Sequence, residues 1–292
     1  SLHGWLDRMH LAEDDSIAPY VEAIEQVLAQ NTEQDEHGRI QIIRGVAEDR
    51  RVSIEDAEMR HGRKSTSKSK RFNGYKQHIA TDLDTALILA CAVTPANRPE
   101  EEATPRLQED LRAQSTKIRR IYVDRGYINS SLVEDAGASG AEVICKPWRI
   151  RAGKPNQFKK TDFKLDMRSH TITCPAGQTE PFEPGQVVEF DPEACGACSL
   201  RANCTHSASG KGRTVSIAKD ERLQKKLRVL QSTGPGRSEL RQRTGVEHRL
   251  AHVAARQGRR ARYIGVRKNE FDLRRVAAIQ NLETIQRRKA AA

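Results

Sequence analysis

Residues 118–131, IRRIYVDRGYINSS, constrain the fold of this chain more than any other stretch. Ile118, Ile121, Tyr122 and Val123 form a short apolar run, the pattern of a buried strand. The run ends on Asp124, and Arg125-Gly126 then turn the chain toward an amphipathic helix that begins near Ser130. Open α/β sheets carry functional groups at the carboxyl ends of their strands, which is where Asp124 stands. An aspartate in that place equally serves as a turn or helix-cap residue.

The flanking sequence extends this pattern into an α/β fold. Residues 75–81 and 87–94 read as two strands joined by the turn Asp82-Leu83-Asp84-Thr85. Asn97 is expected to cap a helix over 98–111, with Glu100, Glu101 and Glu102 in its first turn. A helix at 132–136, closed by Gly137 and Gly140, leads to a strand at 141–145. The order β-β-α-β-α-β predicts a mixed sheet with helical crossovers. Upstream, Val21, Ile24, Val27 and Leu28 make a helical stripe, and a turn at 35–38 precedes a strand at 39–43. Residues 149–230 break the pattern with short strand-like pieces at 163–166, 171–174 and 187–190. Helical periodicity returns at 239–256 and at 272–287, where Leu273, Val276, Ile279 and Leu282 form the expected apolar stripe. Four parts follow: 1–52 a connecting region, 53–148 the first part of the core, 149–230 a cysteine-bearing insertion, and 231–292 the helical remainder of the core.

Charge narrows the partners. Fifty Lys and Arg against 39 Asp and Glu leave +11, suited to a polyanion. Residues 60–71, RHGRKSTSKSKR, hold six Lys and Arg with no apolar anchor and read as a flexible basic loop. Arg63, Lys64, Lys68, Lys70 and Arg71 are its candidate phosphate contacts, and a solvated charge run is the plainer alternative. A second run, Arg256, Arg259, Arg260, Arg262, Arg267 and Lys268, immediately follows the 239–256 pattern with Tyr263 in its midst, and phosphate contact is its favoured reading. No signal peptide or membrane-length apolar run is visible, and six cysteines without export signals suit a reducing, cytoplasmic setting. Cys91 and Cys145 fall in strands and read as core. Cys174, Cys195, Cys198 and Cys204 are spaced C-x20-C-x2-C-x5-C, which suits either structural Zn²⁺ or reduced, partly buried thiols.

Several motifs agree in order along residues 40–288: MRHGRKSTSKSKRFNGYKQHIATDLDT, AVTPAN, YVDRGY, the cysteine insertion, RTGVEHRLAH and GRRARYIGVRKNEFDLRRVAAIQNL. Together they resemble a bacterial insertion-sequence transposase of the DDE type, in the subgroup with a cysteine-bearing insertion before the final acid. The resemblance implies an RNase H-like (integrase-like) mixed sheet flanked by helices. It implies three carboxylates holding two Mg²⁺ (or Mn²⁺) ions, and cleavage and strand transfer on double-stranded DNA, both element ends and target, by a homodimer. Asp124 matches the second acid, in a D-R-G-Y motif. Arg243 and Glu247 match the late-helix pattern Y-x2-R-x3-E-x6-K, while Leu240 and Ala254 stand where that pattern has Tyr and Lys. No apolar strand with a D-S/T-T motif precedes residue 50, so the first acid is expected upstream of Ser1. Asp82, at the end of the 75–81 strand, is a weaker substitute for it than a turn residue.

Phosphodiester cleavage calls for charge neutralisation, an activated water and a stabilised leaving oxygen, which hard cations on carboxylates supply. Leu240, Arg243, Glu247 and Ala254 share one helical stripe, and Arg243 either clamps a phosphate or makes an ordinary i,i+4 ion pair with Glu247. His248 and His252 share a face without a third ligand. Two other readings stand beside the transposase: a DNA-binding remnant without catalysis, and an RNase H-like nuclease that hydrolyses without strand transfer.

Overall fold

The computed structural model describes residues 4, 5, 8, 9, 14–45, 47, 49–64, 70–150, 156–208, 210–258 and 260–291. In chain order the first elements are α1 (Ala18–Asn31), β1 (Thr32–Gln34), β2 (Ile40–Ile42), β3 (Arg60–Lys64), β4 (Lys70–Thr81) and β5 (Ile88–Pro95). Next come α2 (Thr104–Ala113), β6 (Arg120–Tyr122), α3 (Ser131–Ala138) and β7 (Glu142–Ile144). Then follow β8 (Lys164–Asp166), β9 (Thr171–Thr173), β10 (Thr179–Pro181), β11 (Val187–Glu189), α4 (Pro192–Gly196), α5 (Arg201–Cys204) and β12 (Thr214–Ser216). Four helices close the chain: α6 (Glu221–Ser232), α7 (Gly234–Arg241), α8 (Thr244–Gln257) and α9 (Val266–Ala291). The result is a mixed α/β chain with several small sheets. It divides into two units, one of Ser1–Arg119, Ser130–Gly140 and Arg243–Ala292, the other of Arg120–Asn129 and Ala141–Gln242.

In the first unit β3, β4 and β5 form an antiparallel sheet in that order. β3 pairs with the first part of β4, from Arg60↔Gly74 to Lys64↔Lys70, and β5 with the rest, from Tyr75↔Pro95 to Thr81↔Ile88. The basic stretch read as a flexible loop is therefore strand at both its ends. Its anchor is a glycine: a Cβ on Gly62 would stand 2.7 Å from the Ala96 Cβ and 2.8 Å from the Phe72 ring. Counting charges could not reveal that close backbone approach.

β5 is an edge strand buried along nearly its whole length, against a core of Ile88, Cys91, Val93, Val253, Leu273, Val276 and Ala277. Each of the larger side chains contributes roughly 1.5–3 kcal/mol when fully buried. The burial of Cys91 pushes its thiol up to about 12. Side chains of α2 and α9 close the strand's outer edge. Asn281 brackets Ile88, accepting its N–H and donating to its C=O, both at 2.8 Å. Asp110 accepts from the Cys91 N–H at 3.0 Å, and Arg274 donates to the Cys91 carbonyl at 3.0 Å while pairing with Asp110 at 2.8 Å.

Three helix expectations need correction. Asn97 does not cap: its side chain donates to Asp49 at 2.7 Å, a 3-10 turn runs Glu100–Ala103, and α2 starts only at Thr104. The 239–256 pattern is two helices, α7 and α8, with a break at Gln242-Arg243. On α9 the buried line is Asn269, Asp272, Leu273, Val276, Ala277, Gln280 and Thr284, while Leu282 is 67% exposed. The expected stripe is right in Leu273 and Val276 and departs at Ile279 and Leu282, because polar side chains such as Asp272 and Thr284 can be buried where they find hydrogen-bond partners. Asp272 accepts from Gln257 and Arg275, and Thr284 accepts from Arg249.

In the second unit β6 and β7 are parallel, from Arg120↔Glu142 to Tyr122↔Ile144. Ile121, Tyr122 and Val123 are half-buried, not the fully buried run their composition suggested. Val123 borders a core of Ile128, Cys145 and Leu227 to which α6 contributes Leu223 and Leu230. A separate core of Phe163, Ile172, Phe182, Val188, Phe190, Val215 and Ile217 draws on the region of the three-stranded sheet β10-β9-β8 and the antiparallel pair β11–β12.

Gly62→Ala should cost about 1–3 kcal/mol through overpacking, measured by urea unfolding. His78 lies 2% exposed on β4 with Nε2 2.9 Å from the Thr94 hydroxyl, and burial together with the Lys76 charge pulls its pKa from 6.5 down to about 4. The unfolded chain takes up this proton first as pH falls. Stability from His78 is thus complete above pH 6.5 and is lost toward pH 4, by about 3 kcal/mol in all. The dependence of unfolding free energy on pH in that window should flatten in His78→Gln.

Candidate active site

Asp124 follows β6 directly in an extended conformation and is exposed. Its Oδ1 accepts the Arg125 N–H at 2.9 Å, capping the 3-10 turn Arg125–Tyr127. Arg125 Nε in turn donates to the Pro147 carbonyl at 2.7 Å, and Val123 N–H donates to the Ile144 carbonyl at 3.1 Å. The aspartate thus does serve as a turn residue, and a group held by a fixed turn at a strand end is also well positioned for chemistry. A brace below it was not foreseen from the sequence. Tyr122 donates its hydroxyl to Glu239 of α7, and Arg120 reaches Glu239 at 2.9 Å and Glu142 at 3.0 Å. The signal available was Arg120 and Tyr122, two residues apart and so on one face of the strand.

Glu247 stands in the first turn of α8, where the helix dipole favours a carboxylate. It is 56% exposed and pairs with Arg243 at 2.5 Å, so the i,i+4 ion pair is present. Leu240 lies on α7, which ends the stripe expected to run from Leu240 through Arg243 and Glu247 to Ala254. His248, Ala251, His252 and Ala255 are exposed on the same helix. Two observations orient α8 along β4. A Cβ on Gly245 would lie 3.6 Å from Leu83, at the tip of the β4–β5 turn, and Gln257 accepts from Gln77 at 2.8 Å. Asp82 in that tip accepts from Thr85 and Asp84, and these hydrogen bonds lower its pKa, as a turn residue requires.

The basic candidates separate into two groups. Arg63 and Arg71 are exposed cross-strand partners, and Lys64 and Lys70 pair in backbone register beside them. Lys68 and Arg259 lie outside the described residues. In the later run Arg256 pairs with Glu283 at 2.5 Å, and Arg262 donates to the carbonyls of Gln257 and Arg256, capping the end of α8. Arg260, Arg267 and Lys268 are exposed. Arg256, the first of the run, stands nine positions after Glu247 on α8, about 14 Å along the helix axis.

Cys174, Cys195, Cys198 and Cys204 are all half-buried and unbridged, and three of them pack on the core around Phe163 and Phe190. Burial raises the Cys204 thiol pKa, Arg213 opposes that, and the neighbouring Cys195, Cys174 and Cys198 add to it. Among the described residues no group of three or more His, Cys, Asp or Glu is gathered to hold a metal ion, so the arrangement lends zinc no support. Cys91 and Cys145 are buried, as their strand positions predict. Among the described residues no helix is long and apolar enough to cross a membrane.

A family model described as a transposase DDE domain matches residues 36–282. Neither a curated protein nor a solved structure gives a match.

The brace under Asp124 yields a direct test. Tyr122→Phe removes the hydroxyl that Glu239 accepts and should cost about 1 kcal/mol in urea unfolding.

Proposed function

This chain belongs to the transposase DDE-domain family, and on that premise we propose that it carries out cation-dependent DNA strand cleavage and strand transfer, with Asp124 and Glu247 as acidic ligands. The observation that carries the reading is the placement of Asp124: an exposed carboxylate at a strand end, on a turn held by Arg125 and braced through Tyr122 and Glu239. Within that reading the β-β-α-β-α-β order belongs to an RNase H-like core.

Both carboxylates are exposed oxygen donors, which fits a hard cation such as Mg²⁺ or Mn²⁺. Such an ion, when bound, neutralises charge on the phosphate and lowers the pKa of water. The chain's own residues do the positioning. Asp124 is oriented by its bond from the Arg125 N–H, and Arg243 beside Glu247 offers a guanidinium to a phosphate oxygen. In cleavage water attacks the phosphodiester and a 3′-hydroxyl leaves. In transfer that hydroxyl attacks a phosphodiester of the target, and the target's own 3′-oxygen leaves. The exposed strand pair Arg63 and Arg71 and the exposed Arg260 and Lys268 contact phosphates away from the reacting bond. The acting species is a homodimer on DNA.

Nicking of supercoiled DNA with Mg²⁺ is the measurement. Asp124→Asn and Glu247→Gln should each lower the rate by about a hundredfold or more, the scale for removing one charge-stabilising group. Nicking that survives both substitutions defeats the assignment. DNA binding without nicking in the unaltered chain favours the DNA-binding remnant.

A further inference from the structure

A DNA strand lying across Glu247 presents phosphates on both sides of the reacting one, and cations at Glu247's own end of α8 have to meet them. The arginine run after α8 is at the other end of that helix. The fold brings a different set to the near end, from the C-terminal end of a helix some forty residues downstream in sequence. Arg249 of α8 donates to Thr284 of α9 at 3.2 Å, and one turn further Arg288 donates to the Asp84 carbonyl at 3.0 Å. Asp84 belongs to the turn whose Leu83 adjoins Gly245, two residues before Glu247. The end of α9 is therefore seated at the same turn as the start of α8. Arg287, Arg288 and Lys289 are all exposed there.

We propose that the C-terminal end of α9, with Arg287 and Lys289 flanking the anchored Arg288, is a phosphate-binding surface for the DNA backbone next to Glu247. The proposal rests on the transposase reading and deepens it by naming phosphate-binding cations outside both basic runs of the sequence. Cations at a helix C-terminus also stabilise the helix dipole, a role that alone leaves no mark on DNA binding. The salt dependence of binding separates the two, since each neutralised phosphate releases counterions.

The test uses the full chain and a linear duplex, with affinity measured by fluorescence anisotropy over a range of KCl. Arg287→Gln/Lys289→Gln leaves the Arg288 anchor in place. It should lower the slope of log affinity against log salt by about 0.9 for each phosphate no longer neutralised, about 2 for the pair. Arg39→Gln/Arg112→Gln removes equal charge from exposed sites elsewhere in the same unit and should leave the slope unchanged. An unchanged slope in the first variant, or an equal fall in both, overturns the proposal while the transposase reading stands. A native chain with no salt-dependent DNA binding brings down that reading and the proposal together.

Discussion

The open edge of β5 is the constraint on which the first unit depends. A buried edge strand would leave its outward N–H and C=O groups without water or partners, at a cost comparable to losing each bond outright. Here Asn281, Asp110 and Arg274 take those groups. Because these side chains come from α2 and α9, satisfying the strand also fixes where both helices lie. The apolar packing of Leu273, Val276 and Val253 supplies the bulk of the burial energy, while the polar bonds supply register.

From that register the position of Glu247 follows. Helix α8 is held at one end by the β4–β5 turn and at the other by Gln77 and Asp272, through Gln257. Charge along the helix is then divided by role. Arg256 and Arg262 at its far end are engaged in an ion pair and in carbonyl capping, whereas the near end receives Arg243 and the end of α9. A high net charge by itself says only that a polyanion is attracted. The fold decides which cations are structural and which face outward.

The second unit solves a different problem. Its strands are mostly three residues long, too short to be stable on hydrogen bonding alone. Two small apolar cores carry it, one at β6 and α6 and one among the strands β8 to β12. Three of the four half-buried thiols, Cys174, Cys195 and Cys204, pack on the second core as small apolar groups. At the end of β6 the exposed Asp124 escapes both cores, and the Tyr122–Glu239–Arg120 brace holds the strand from its side.

The sequence by itself determined the local chemistry: the strand ending on Asp124, the turn at Asp82, the i,i+4 pair of Arg243 and Glu247, and the buried Cys91 and Cys145. Each depends on residues within a few positions of one another, or on hydrophobicity alone, so periodicity and turn rules reach it. Tertiary structure decided what long-range partners control. It turned the ends of the 60–71 stretch into strands through Gly62 against Ala96, sent Asn97 to Asp49 and away from a cap, and buried the polar line of α9 in preference to Ile279 and Leu282. It also placed the α9 terminus, not the arginine run, at Glu247's end of α8. A hydrogen-bond partner distant in sequence changes the free energy of burying a polar group by more than local propensity can offset, and no windowed pattern contains that partner.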